Sequence, residues 1–195
     1  MNNIIRHILQ WEVGLKPEEK ALQGEALYNS VAKRGYHVIP GDKGGPTMCG
    51  VTLATFRSWR RTDATPGNIS GMPAEADLRK LSFDEWWAIM KHLFIDPCRA
   101  ESIHNKSIAL MLIDWRWVNG TQAIRDAQNV LSCVQDGIVG PKTLAALNAE
   151  PAMSVFIRLH AARCRAYERI VERNPSQKKF LKGWLNRTNS IKFIP

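Results

Sequence analysis

The sequence predicts a mainly α-helical protein, and three observations carry that reading. Apolar residues recur at helical spacing along most of the chain, from Ile4, Ile5, Ile8 and Leu9 to Phe180, Leu181, Trp184 and Leu185. Proline, glycine and capping residues punctuate these stripes where helices should start and stop. Strand-like alternation is confined to the short run Tyr36 to Ile39. With 195 residues, 45% hydrophobic and 23% charged, the chain is long enough for one large domain or for a domain with a smaller companion.

In order, the first helix follows the Ile4–Ile5–Ile8–Leu9 stripe and ends near Trp11 and Glu12, because Gly14 and Pro17 follow. Glu12 therefore sits at a helix end where the backbone dipole disfavours negative charge, with Trp11 as an apolar wall, a setting that suits a proton donor. Residues 16–33 are polar, with Ala21, Leu22, Ala26 and Leu27 as a thin apolar face, and read as an insertion riding on the surface. Thr52 is placed to cap a helix carrying Leu53, Phe56 and Trp59. Thr62 to Pro73 is loop. Ser82-Phe83-Asp84-Glu85 fits a capping box that opens a helix with Trp86, Ile89, Met90 and Leu93 on one face, stopped by Asp96-Pro97. Ile108, Met111, Leu112 and Trp115 mark a central buried helix, broken at Asn119-Gly120. A short helix through Ala123, Ala127 and Val130, a turn at Gln135–Gly137, and a helix opened by Pro141 come next. Long stripes over 152–173 and from about Ser176 complete the chain.

Between the first two helical segments and the Thr52 helix lies the least helical stretch, Pro40 to Gly50, with four glycines and two prolines in eleven residues. Gly44 and Gly45 allow positive φ and close backbone approach, while Pro40 and Pro46 stiffen the path. Set in this bend are one carboxylate, Asp42, and one hydroxyl, Thr47. A bend presenting both could hold a water or a sugar hydroxyl. It could equally be a surface turn whose Asp caps its own backbone.

A net charge of +9 points to a polyanionic partner such as nucleic acid, anionic lipid or bacterial cell wall. The basic segment Arg173 to Pro195 matches no nucleic-acid motif, so nucleic acid is not expected as a partner. No apolar run is long enough for stable membrane insertion, and no basic-then-apolar leader opens the chain. Cys49, Cys98, Cys133 and Cys164 are widely spaced and make no ligand pair with the scattered histidines. No metal and no cofactor is expected, and buried free thiols are the default.

Two segments then meet a known pattern. Trp11-Glu12-Val13-Gly14-Leu15, followed by Asp42-Lys43-Gly44-Gly45-Pro46-Thr47 and Gly50-Val51-Thr52, resembles the start of the glycoside hydrolase family 108 muramidases, several of which are labelled secretion activators. Their pattern is W-E-G-G-aromatic, then D-x-G-G-x-T-x-x-G-[IV]-T. Asp136-Gly137-Ile138-Val139-Gly140-Pro141-Lys142-Thr143-Leu144 looks like the peptidoglycan-binding module usually fused behind it. Val13 and Leu15 depart from the pattern, and the stretch from Glu12 to Asp42 is longer, which is the insertion at about 16–35. A second register puts Lys33-Arg34-Gly35-Tyr36 on the same acid-glycine element, with lysine in the acid's place.

The resemblance implies a lysozyme-like helical catalytic lobe over 1–119 packed on a helical peptidoglycan-binding lobe over 120–195. It implies hydrolysis of the β-1,4 glycosidic bond of peptidoglycan, in phage lysis or secretion-linked wall remodelling. Glu12 would be the acid, and Asp42 and Thr47 would act on the water or the transition state. Tyr36, Gly44, Gly45, Trp86, Asp136 and Lys142 are the candidate substrate-binding residues. Made in the bacterial cytoplasm without a leader, such an enzyme would reach the periplasm and wall through a holin or export machinery. In the Lys33 register it would be an inactive wall-binding or secretion-assisting protein.

Overall fold

A computed structural model describes residues 2–38, 44–62, 72–149 and 151–195. The predicted helical class holds: the described residues form ten α-helices and one three-stranded antiparallel sheet. The chain divides into two compact units, Met1–Leu93 and Phe94–Pro195.

In the first unit, α1 (Asn2–Glu12) buries Ile5, Ile8 and Leu9, as its stripe predicts. A 3₁₀ turn (Pro17–Ala21) leads to α2 (Gly24–Ala32). Here the structure corrects the sequence reading, because α2 is no surface rider. Leu27, Tyr28 and Val31 are fully buried, and the Tyr28 hydroxyl donates to the Leu81 carbonyl at 2.7 Å. Its ring lies 5.3 Å from that of Trp86, so the insertion fills core space against α5 (Phe83–Met90). Three two-residue strands follow in the order β1 (Tyr36–His37), β2 (Thr47–Met48), β3 (Val51–Thr52), with Tyr36 opposite Met48 and Thr47 opposite Thr52. Helix α3 (Leu53–Trp59) is capped as expected, the Thr52 hydroxyl accepting from the Thr55 amide at 3.1 Å. A short α4 (Glu75–Leu78) precedes α5. The Ser82 hydroxyl caps α5, accepting from the Glu85 amide at 3.2 Å, while the Glu85 carboxylate pairs with Arg60 at 2.8 Å.

In the second unit, α6 (Lys106–Asn119) is the buried central helix, packed against α7 (Thr121–Val130) and α9 (Ala152–Arg173). Only Gly120 separates α6 from α7. Helix α8 (Pro141–Ala149) opens at Pro141, and α10 (Lys178–Ser190) lies along α9. Within this apolar core sits an unanticipated charge cluster. Asp114 is fully buried and accepts from Arg163 at 2.7 Å and from Arg187 at 2.7 Å. The Arg163 Nε–H also donates to the Tyr167 hydroxyl at 3.1 Å. Two guanidiniums on one carboxylate satisfy both of its oxygens, which is the condition for tolerating such charge in a core.

Candidate active site

The acid-bearing turn is built by the end of α1. Glu12 is its last residue and is half-buried, and the helical hydrogen-bond pattern runs two residues further through Val13 N–H to Leu9 O at 3.0 Å and Gly14 N–H to Gln10 O at 3.1 Å. Gly14 then takes φ +78°, the left-handed conformation that ends helices and that glycine adopts without penalty. The Gly14 carbonyl is not left to solvent. Arg34 Nη2 donates to it at 2.8 Å.

Arg34 is held in turn by Glu19, a carboxylate only 2% exposed. Arg34 Nη1 reaches Oε1 at 2.6 Å and Nη2 reaches Oε2 at 2.5 Å, while the Ser30 hydroxyl and the Lys16 amide each donate at 2.8 Å. The Arg34 hydrogen bonds hold the Glu19 carboxyl down at about 2 against burial, which pulls the other way.

Next to Arg34, Gly35 meets the turn between β2 and β3. Its carbonyl accepts from the Cys49 amide at 2.9 Å, and a Cβ at Gly35 would come within 3.0 Å of Cys49 Sγ. Cys49 is fully buried at φ +47°, and its carbonyl accepts from the Trp86 indole N–H at 3.0 Å. Burial, and after it the nearby Glu12 carboxylate, pushes the Cys49 thiol up to about 12.

Thr47 is half-buried on β2, its hydroxyl donating to the Gly45 carbonyl at 3.2 Å. Gly44 is exposed and Gly45 half-buried beside it. Asp42, with Pro40 and Gly41, lies outside the described residues. Tyr36 donates its hydroxyl to the Glu75 carboxylate and carries the Arg79 guanidinium 3.5 Å over its ring, so one ring face is already covered. Trp86 is a correction: its indole is fully buried among Tyr28 and Phe83 and serves the core instead of stacking on a sugar. Lys33 is exposed at the end of α2.

Asp136 and Lys142 lie in the second unit, away from these groups in sequence and both exposed. Asp136 folds back on its own turn, accepting from the Ile138 amide at 2.8 Å and from Gln128 Nε2 at 2.7 Å, and the amide bond first and then Gln128 hold its carboxyl below the usual range. Buried Gln128 organises the whole loop. Its Nε2 also lies 2.8 Å from the Ile138 carbonyl and 3.1 Å from the Thr143 hydroxyl, and its Oε1 accepts from the Gly137 amide at 2.8 Å. Sequence reading singled out Asp136 but not Gln128, Glu19, Arg34 or Cys49.

Residues 30–120 match the family model described as Glycosyl hydrolase 108, and residues 120–189 match the one described as Predicted Peptidoglycan domain. No curated protein matches the chain. Among solved structures, "Structure of Brucella abortus SagA" superposes with a TM-score of 0.69, at 24% identity over 84% of this chain and 86% of that one. That likeness establishes a shared fold.

Proposed function

We propose that this chain, which joins a match to glycosyl hydrolase 108 to one to a predicted peptidoglycan domain, is a muramidase that hydrolyses peptidoglycan at the cell wall, and that Glu12 is the acid with which it cleaves the β-1,4 bond. The observation that carries this assignment is the position of Glu12: it is the half-buried last residue of α1, two residues before the Gly14 turn whose carbonyl Arg34 holds at 2.8 Å. A carboxyl there can protonate the leaving glycosidic oxygen as the bond breaks. Asp42 would stabilise the oxocarbenium-like transition state or orient the attacking water. Thr47, at the mouth of the same segment, would hold that water or a sugar hydroxyl. The exposed Asp136–Lys142 face, kept in shape by Gln128, would contact the glycan or its peptides, and a holin or export machinery would bring the enzyme to the wall.

One observation favours a second reading. The hydrolase match begins at residue 30, past Glu12, and includes Lys33. In that register the acid position holds an ammonium, and the chain would bind wall without cutting it. The position of Lys33 argues against this, since it is exposed at a helix end and its neighbour Arg34 is engaged with Glu19 and Gly14.

The experiment is turbidity loss of purified peptidoglycan with mass analysis of the fragments. Wild type should release muropeptides ending in N-acetylmuramic acid. Glu12→Gln should lose on the order of 10²–10⁴-fold in rate, the typical worth of general acid catalysis, with its fold intact. Lysis by Glu12→Gln at the wild-type rate would move the acid elsewhere, and no lysis by wild type would select the second reading.

A further inference from the structure

The insertion is not idle mass beside the site. We infer that the Glu19–Arg34 pair is the positioning device of the acid: it clamps the Gly14 turn, and through it Glu12, onto the stretch that leads into β1. The inference rests on Glu12 being the acid.

The geometry runs through four links. Glu19 is buried and takes hydrogen bonds from Arg34, Ser30 and the Lys16 amide, which ties the 3₁₀ turn to α2. The same Arg34 Nη2 that meets Glu19 Oε2 also donates to the Gly14 carbonyl, two residues past Glu12. Arg34 is followed by Gly35, whose carbonyl accepts from the Cys49 amide at 2.9 Å, and after burial the Glu12 carboxylate helps to push the Cys49 thiol up. One guanidinium therefore joins both sides of the acid's surroundings: the turn that carries Glu12 and the strand entry that packs on Cys49. A planar fork with several N–H groups can serve two acceptors at once, whereas a lysine ammonium on a thinner stem cannot reproduce both bonds in the same geometry. Most of this device lies in the insertion: Lys16, Glu19 and Ser30 belong to residues 16–33. A residue held by a clamp contributes to rate by orientation, and a misplacement near 1 Å can cost on the order of 10²-fold.

The test is Arg34→Lys in the full chain, read three ways: kcat and KM on soluble glycan fragments, the melting temperature, and hydrogen exchange by peptide. The expected result is a kcat lowered about 10- to 100-fold with KM within about twofold. Exchange should rise in the peptide spanning 11–16 while the rest of the chain keeps its protection. Wild-type kcat, or exchange raised throughout the chain together with a lowered melting temperature, overturns the inference, since the pair would then be idle or merely structural. If Arg34→Lys does not fold, Ser30→Ala loosens Glu19 alone. Lowered kcat with local exchange at 11–16 then supports the clamp, and wild-type behaviour overturns it. Glu12→Gln, assayed alongside, keeps the two claims apart: full activity there defeats the acid assignment, whereas an inactive Glu12→Gln beside a fully active Arg34→Lys defeats only the clamp.

Discussion

Gly35 offers a sharp test of how the site is packed. A methyl group added there would come well within 3.0 Å of Cys49 Sγ, where ordinary contacts begin at 3.4 Å, so one of the two must retreat by about an ångström. Neither can do so easily. The Cys49 amide is bonded to the Gly35 carbonyl at 2.9 Å, the Cys49 carbonyl is bonded to the Trp86 indole at 3.0 Å, and the thiol has no exposed surface to move into. Overpacking of this kind costs about 1–3 kcal/mol, which for a chain of this size lowers Tm by roughly 2–4 °C per kcal/mol. Cys49→Gly removes the clashing sulfur and relieves the φ of +47° at the same position. It also gives up the buried thiol, so alone it should be nearly neutral. The double variant Gly35→Ala/Cys49→Gly should then recover about 1 kcal/mol or more relative to the sum of the single changes. Thermal and urea unfolding of the four proteins measure the cycle. Strict additivity, or a Gly35→Ala protein that melts with wild type, would refute the packing argument.

Two further outcomes follow from the charges. Glu19 has its carboxyl lowered from 4.5 to about 2 by Arg34, so its contribution to stability is fully present above about pH 4.5 and is lost as pH falls toward 2. The melting temperatures of wild type and Glu19→Gln should therefore differ most above pH 5 and converge in acid; a gap that stays constant down to pH 2 would contradict this. Asp114→Ala leaves Arg163 and Arg187 without their shared carboxylate and should cost about 3–5 kcal/mol in urea unfolding, while a loss below about 1 kcal/mol would show that the cluster contributes little.

The helices were legible because their apolar stripes survive in the sequence: Ile5, Ile8 and Leu9 on α1, and Met111, Leu112 and Trp115 on α6 are all buried where the spacing puts them. The inner face of α2 is Leu27, Tyr28 and Val31, whereas the thin apolar face legible in the sequence takes in Ala26, which is exposed, and leaves out Tyr28 and Val31 among their polar neighbours. Strands β2 and β3 hold two residues each, too few for any alternation to show. Polar pairing was the least legible layer. Asp114 meets partners 49 and 73 residues away, and Glu19 meets Arg34 across 15, separations at which a single sequence carries no pairing signal. For the site, motif and helix end together pointed to Glu12, and the structure adds what surrounds it.

The Asp114 cluster bears on how such chains can be recombined. Asp114 falls within residues matched by the hydrolase family, and Arg163 and Arg187 fall within residues matched by the peptidoglycan family. A crossover at residue 120 would therefore separate an anion from both of its cations. The hybrid would inherit either two buried guanidiniums without a counter-charge or a buried carboxylate without donors. The heritable module that keeps its charge balance begins ahead of α6, near Phe94, where the second compact unit starts. A chimaera joined there should express as a folded protein, and one joined at 120 should be soluble only when its donor also carries an acid at the position of Asp114.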